Sequence, residues 1–289
     1  MPGGHPLSAE TAEKLARLRA LLAALDDVLV AFSGGVDSSL LLRVAHEVLG
    51  TRVVALTTVS PTNPEEDTAS ALALTRELGV EHVVVKANEL AIPGYAENPV
   101  HRCYLCKDAL YEICAAHAQR RGVTTVVDGV NVDDLSDYRP GLRAADQHRV
   151  RHPLVEAGLG KTDLRALSYV LGLPTWNRPA SPCLSSRFPY GTEITRERLQ
   201  MVARAEQALR SLGFPEVRVR FHGDIARIEL PTDGLRRLAD PTLRAAVLRN
   251  VRESGFRHVT VDLEAFRSGS LNLAVGSSPA PQPGAPSDR

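Results

Sequence analysis

Residues 28–49 read VLVAFSGGVDSSLLLRVAHEVL. A mostly apolar run from Val28 to Phe32 ends in Ser33-Gly34-Gly35-Val36-Asp37-Ser38-Ser39, after which Leu40, Leu41, Val44 and Val48 recur at helical spacing. The pattern is strand, tight loop, helix. Gly34 and Gly35 let the backbone bend and approach a ligand without a Cβ in the way. The free N–H groups of the new helix point at whatever lies in front of it, so such a loop can hold a phosphate group, and Ser38 and Ser39 add hydroxyl donors. No Lys follows the glycines, so this is not the GxxxxGK[ST] loop. The charge near the expected phosphates is the acid Asp37, which suits a loop that holds pyrophosphate through a metal ion.

Outward from this stretch, residues 8–25 read as an amphipathic helix with Leu15, Leu18, Leu22 and Leu25 on one face. Strands are expected at 52–57, 82–86 and 125–129, with helices at 65–78 and about 103–120 closed by Gly79 and Gly122. Alternation of this kind predicts an α/β fold, a doubly wound parallel sheet covered on both faces. Ligands of such sheets bind outside the carboxyl ends of the strands, so 33–39, 57–61 and 129–137 should share one cleft. A helix at 161–171 follows, and then 174–191 is rich in Pro, Ser and Gly without a period, as a functional loop or a linker would be. A helix at 195–212, strands at 216–221 and 225–230, a helix at 241–253 and a strand at 258–263 suggest a small α+β domain. The closing GSSPAPQPGAPSDR has nothing to bury and is expected to be disordered. The expected division is a nucleotide-binding domain at 1–192, a small domain at 193–274 and a tail at 275–289.

Composition is that of an ordinary globular protein: 289 residues, 44% hydrophobic, 24% charged and formal net charge zero. That balance gives no general pull toward nucleic acid, and none is expected as a partner. With no basic segment followed by an apolar run at the start, and no long apolar stretch, neither a secretory signal nor a membrane span is expected, and the location should be cytoplasmic. Four cysteines in a chain this long are not a disulfide framework. Cys114 falls inside a predicted helix beside Ile113 and Ala115 and reads as core. Cys103 and Cys106 form a CxxC, whose short spacing leaves metal binding, redox chemistry and no special role all open. Cys183 follows Pro182 in a loop that the fold should bring back to the nucleotide cleft.

Ser-Gly-Gly-Val-Asp-Ser-Ser resembles the signature of the PP-loop ATP pyrophosphatases, which cleave ATP between the α and β phosphates. HRCYLCK, GVNVDDLSDYRPG, PCLSSRFPYG and FRSGSLN together resemble, more closely, the ATP-dependent sulfur transferases of the LarE family. That family sulfurates a pyridinium dicarboxylate mononucleotide on the route to the nickel pincer cofactor of lactate racemase, and the likeness runs from about Ser8 to Asn272. It implies ATP and Mg²⁺, a nucleotide substrate and delivery of sulfur from the position of Cys183. One branch of the family sacrifices that cysteine to dehydroalanine; another has two further cysteines and a [4Fe–4S] cluster. With Cys103, Cys106 and Cys183 the chain resembles the cluster branch, in which three thiolates leave one iron open for sulfide from an outside source. A structural zinc with His101 or His152 as fourth ligand, and free thiols with a sacrificial Cys183, stay open. So do a tRNA thiolase, an amide-forming synthetase of the NAD or GMP type, and a nucleotide-sensing protein without catalysis. A homo-oligomer assembled through the small domain is expected.

Asp133, Asp134 and Asp137 are either a solvated acidic turn or, beside Asp37, part of a magnesium and nucleotide site. Asp37 and Asp134 are the expected magnesium ligands, with Asp133, Thr57 and Arg139 near the nucleotide. Arg187 and Tyr190 brace the Cys183 loop, or Arg187 meets substrate. Arg218 and Arg220 share one face of an alternating strand, Val217 and Val219 the other. That face is either plainly exposed or an anion site in which Arg220 acts with Arg267 and Ser268.

Overall fold

Ser8 caps α1 (Ala9–Ala23) by accepting from the Thr11 amide at 3.0 Å, and Leu15, Leu18 and Leu22 of that helix are buried. The computed structural model describes residues 7–136, 140–179 and 182–266. Two compact units divide the chain, the first ending at Ala203 and the second beginning at Arg204. Among the described residues no helix is long and apolar enough to cross a membrane.

In the first unit β1 (Val28–Ala31) runs through the glycine loop into α2 (Val36–Leu49), followed by β2 (Val53–Val59), α3 (Glu65–Leu78) and β3 (Glu81–Lys86). Then come α4 (Arg102–Arg121), β4 (Val126–Asp128), α5 (Gly141–Gln147), α6 (Pro153–Glu156) and α7 (Lys161–Val170). The four strands are parallel in the order β3-β2-β1-β4. Their β-branched alternation sorts the two faces. Val28, Val30, Val53 and Ala55 pack with α1, α2 and α7, while Leu29 and Leu56 pack with Cys114 and Ala118 of α4. Helices thus cover both faces, as the alternation of elements requires. Leu40 and Leu41 of α2 have no exposed surface, each worth about 1.5–3 kcal/mol, so the apolar face of the helix rather than the loop fixes where α2 sits.

Two close approaches shape the loop. Gly34 has φ +75°, and a Cβ there would lie 2.8 Å from the Asp67 carbonyl oxygen, so both conformation and space demand glycine. Gly129, just past β4, would bring a Cβ to 2.9 Å from the Ser38 amide, so the end of β4 lies directly against the first turn of α2.

The helices α5, α6 and, in the second unit, the one at Thr232–Arg237 are not expected from the sequence, because seven, four and six residues are too few to display a helical period. Elsewhere the element order matches the expectation, with ends shifted by one or two residues.

In the second unit α8 (Arg196–Ser211), which begins in the first, leads to β5 (Arg218–His222) and β6 (Ile225–Glu229), an antiparallel pair. After α9 (Thr232–Arg237) and α10 (Pro241–Glu253), β7 (His258–Val261) joins β6 in parallel. The alternation in β5 is real, but neither face is open: Arg218 and Arg220 are buried along with Val219 and Phe221. Arg218 stacks on Phe266 at 5.0 Å. Arg220 forks onto Glu229, with Nε to Oε1 at 2.9 Å and Nη2 to Oε2 at 2.8 Å. Arg227 also donates to Glu229 Oε1 at 3.0 Å, so Glu229 keeps one partner when Arg220 is lost, and Arg220→Ala is expected to lower stability by about 1.5–3 kcal/mol, the worth of hydrogen bonds to a charged group. Arg220→Met with Glu229→Leu should recover most of it in a denaturant titration. An Arg220→Ala protein as stable as wild type would show that the pair does not hold the sheet.

Candidate active site

The loop at the end of β1 presents its amides as the sequence predicts. Gly35 precedes α2 without any side-chain cap, so the first amides of a 14-residue helix stay open toward the loop. Ser33 Oγ and Ser38 Oγ are 3.0 Å apart and stiffen the loop from within. Ser39 is fully buried, and of the two serines it is Ser38 whose hydroxyl meets the loop at Ser33. Val36 begins the helix and offers its backbone alone. Thr57, next along the strand ends, is buried: its hydroxyl donates to the Phe32 carbonyl at 2.8 Å and accepts from His82 Nε2 at 2.8 Å. That side chain is engaged in joining β2 to β1 and β3.

Asp37 lies in the first turn of α2. Its Oδ2 receives the Lys161 ammonium, delivered by the start of α7, and the Asn131 amide at 3.4 Å. The same Asn131 Nδ2 donates to Asp134 Oδ2 at 2.8 Å, so one buried carboxamide bridges the two carboxylates expected to act together. Asp133 Oδ2 accepts from the amide of the same Lys161 at 2.5 Å and so fixes the start of α7. Hard carboxylate oxygens of this kind suit Mg²⁺, which keeps most of its shell for water and phosphate and needs few protein ligands. Arg139, Asp137, Arg267 and Ser268 lie outside the described residues.

The Cys183 loop is built on buried polar groups. Leu184 N–H donates to the Thr62 carbonyl at 2.8 Å, and Tyr95 OH meets Ser185 Oγ at 2.8 Å. Asn98, held at φ +56°, donates to the Pro189 carbonyl at 2.7 Å and accepts from Arg102, which also donates to the Ser185 carbonyl at 3.0 Å. Arg187, 0% exposed, donates from Nη1 to the carbonyls of Pro182 at 2.6 Å and Cys183 at 3.1 Å. Its guanidinium therefore braces the loop, the structural one of the two roles expected for it. Arg178, from the same loop, donates to the Gly34 carbonyl at 3.1 Å and to Asp67 Oδ1 at 2.6 Å. One loop thus holds the glycine turn and carries Cys183.

Cys103 and Cys106 sit in the first turns of α4, three residues apart and so on one face. Burial and then the nearby Cys183 raise the pKa of both thiols, that of Cys106 to about 12. Arg102 and Lys107 work in the opposite direction on Cys103. The Cys183 loop is thus near enough for its charge to be felt at both thiols, while among the described residues no three His, Cys, Asp or Glu side chains are gathered as a metal site. Soft thiolates beside Arg102 and Lys107 fit an iron–sulfur cluster in donor type. Its arrival would have to deprotonate them and draw them in, since metal binding and proton release are coupled. His101 is exposed at the start of α4. His152 donates from Nδ1 to Asp128 at 2.6 Å, and Asp128 also accepts from Tyr111 OH at 2.5 Å. Burial works against the charge on Asp128, yet His152, Lys107 and Tyr111 hold its carboxyl below the usual range.

The sequence reading missed Lys161, Asn131, Arg178, Tyr95, Asn98 and Arg102. One signal was available. Only four of the 34 basic residues are Lys, and Lys107 and Lys161 are two of them.

A family model described as NAD synthase matches residues 17–95, which include the glycine loop and α2 through β3. The chain is 47% identical over 262 residues to an uncharacterized protein of Synechocystis, covering 91% of this chain and 98% of that one. It is 44% identical over 266 residues to the pyridinium-3,5-bisthiocarboxylic acid mononucleotide synthase of Lactiplantibacillus plantarum, covering 91% and 95%. An uncharacterized protein of Methanocaldococcus jannaschii is 30% identical over 241 residues, covering 83% and 91%.

Proposed function

Because this chain belongs to the family of pyridinium-3,5-bisthiocarboxylic acid mononucleotide synthases, we propose that it is an ATP-dependent sulfur transferase. It converts a carboxylate of the corresponding pyridinium biscarboxylic acid mononucleotide into a thiocarboxylate, for synthesis of a nickel pincer cofactor. The observation that carries this reading is the double attachment of the 174–191 loop. Arg178 grips the Gly34 carbonyl of the nucleotide loop, while Cys183 from the same loop acts electrostatically on Cys103 and Cys106.

A carboxylate does not react with a sulfur nucleophile until its oxygen becomes a leaving group. Attack of that oxygen on the α-phosphorus of ATP forms an acyl adenylate, and pyrophosphate leaves with the bonding electron pair. The open amides of 33–39 and the positive end of α2 meet the charge that develops on pyrophosphate. Lys161, at the same carboxylate as the loop, adds a cation there. Asp37 and Asp134 would hold the magnesium ion, which offsets phosphate charge when bound. Sulfur then attacks the acyl carbon and AMP departs. Cys103, Cys106 and Cys183 would hold the iron–sulfur cluster, which when bound supplies an iron open to sulfide. Arg102 and Arg187, buried behind the loop, fix where Cys183 is presented and so where sulfur meets the adenylate. Substrate binding and self-association through the second unit, a sulfide source outside the chain and a cytoplasmic location belong to the same proposal.

The test is to supply ATP, Mg²⁺, sulfide and the biscarboxylic mononucleotide anaerobically. Pyrophosphate and AMP should form together with a product in which sulfur replaces oxygen. Pyrophosphate release indifferent to the acceptor, or without a sulfur-containing product, would sink the reading.

A further inference from the structure

The loop that carries Cys183 reaches into the glycine turn through one side chain, and the backbone behind that side chain is fixed. The Arg178 N–H donates to the Thr175 carbonyl at 3.0 Å, and the Arg178 carbonyl accepts from Nη2 of Arg165, on α7, at 3.0 Å. Arg165 Nη1 also donates to the Trp176 carbonyl at 3.3 Å, and the Trp176 ring packs edge-on against Tyr169 of α7, with centroids 5.0 Å apart. The guanidinium of Arg178 is thus aimed from a firm base.

That guanidinium forks. Nη1 donates to the Gly34 carbonyl at 3.1 Å and Nη2 to Asp67 Oδ1, on α3, at 2.6 Å, with the two side chains only 21% and 17% exposed. A trans peptide points its C=O and the following N–H in opposite directions. Holding the Gly34 carbonyl on the Arg178 side therefore turns the Gly35 N–H to the side on which the Ser33 and Ser38 hydroxyls meet, where it reaches Ser33 Oγ at 3.4 Å. That contact is long and easily given up to a phosphate oxygen. Gly34 and Gly35 have no Cβ to restrict the peptide between them, so its orientation has to be imposed from outside. Asp67 offsets the charge of Arg178, and what the guanidinium delivers to the loop is direction rather than charge.

We propose that Arg178 is a positioning residue for pyrophosphate: by holding the Gly34 carbonyl, it presents the Gly35 amide to the β- and γ-phosphates of ATP. The inference rests on the nucleotide reading of the glycine loop. It gives the 174–191 loop a part in adenylation as well as in sulfur delivery. An amide already turned toward the leaving pyrophosphate needs no reorganisation as charge develops there. AMP lacks those two phosphates, so its binding does not depend on the same amide.

The test titrates the reduced full chain with ATP and, separately, with AMP, both with Mg²⁺ and read by calorimetry. Arg178→Ala should weaken ATP binding by about 10–100-fold, the reach of one hydrogen bond to a charged group, and leave AMP binding near that of wild type. Arg178→Lys keeps the charge and loses the fork, so it should bind ATP nearly as weakly as Arg178→Ala. ATP binding at wild-type strength in either variant would overturn the inference while leaving the nucleotide reading intact. An equal loss for ATP and AMP would also overturn it, since that marks damage to the fold rather than to one amide. A wild-type chain that binds ATP no more tightly than AMP would overturn both the inference and the assignment of the glycine loop to pyrophosphate.

Discussion

Asp37→Asn is expected to cut ATP-dependent pyrophosphate release by at least about 10²–10³-fold, the usual consequence of removing one electrostatic contact from a developing charge. The substitution is isosteric, and Asp37 contributes to the helix end only the modest stabilisation of an acid in a first turn, about 0.3–1 kcal/mol. Its pair with Lys161 is partly exposed and worth about 0–1 kcal/mol. The fold should therefore survive, with an unfolding midpoint near that of wild type. What disappears is the full negative charge shared, through Asn131, with Asp134. Release near the wild-type rate at saturating ATP and Mg²⁺ would remove Asp37 from the metal site.

Under the proposed function, Cys183→Ala should abolish sulfur transfer outright while leaving adenylation measurable, because that reading assigns Cys183 to sulfur delivery and the glycine loop to ATP. The informative comparison is Cys103→Ala. If the three thiols act as one metal-binding set, this variant loses iron–sulfur absorption and multiple turnover together. Cys183 in active wild-type protein then keeps its mass. If Cys183 is itself consumed, its Cβ–S bond breaks, the side chain becomes dehydroalanine with loss of about 34 Da, and each chain acts once. Cys103→Ala would then retain its single turnover. Mass spectrometry of active, iron-free protein showing dehydroalanine at 183 would defeat the three-thiol set.

The parts legible in the sequence are those whose cause is local. A strand, two glycines and an apolar helical period lie within 22 consecutive residues, and the parallel sheet follows from repetition of that unit. Asp37, Asp133 and Asp134 were reachable because strand ends of such a sheet gather at one edge. Lys161 was not, since it meets Asp37 across 124 residues and no periodicity marks it. Arg178 reaches Gly34 across 144 residues in the same unmarked way. The β5 strand shows the converse. Its alternation identified two faces correctly, but whether a face is wet or covered depends on what packs over it. Glu229, on the neighbouring strand, turns Arg220 into a buried partner. Asn98 at positive φ is likewise set by the chain it must bond rather than by its neighbours.

The bonds around Cys183 also order events during synthesis. Tyr95 awaits Ser185 across 90 residues, Arg102 awaits the same residue across 83, and Asn98 awaits Pro189 across 91. As the chain leaves the ribosome, Cys103 and Cys106 emerge long before the segment that encloses them, and closing so large a loop carries an entropic cost that shorter contacts do not. For that interval the two thiols stand without the segment that carries Cys183. Until residues 182–189 have cleared the ribosome, Tyr95, Asn98 and Arg102 therefore lack the partners that hold them in the finished fold.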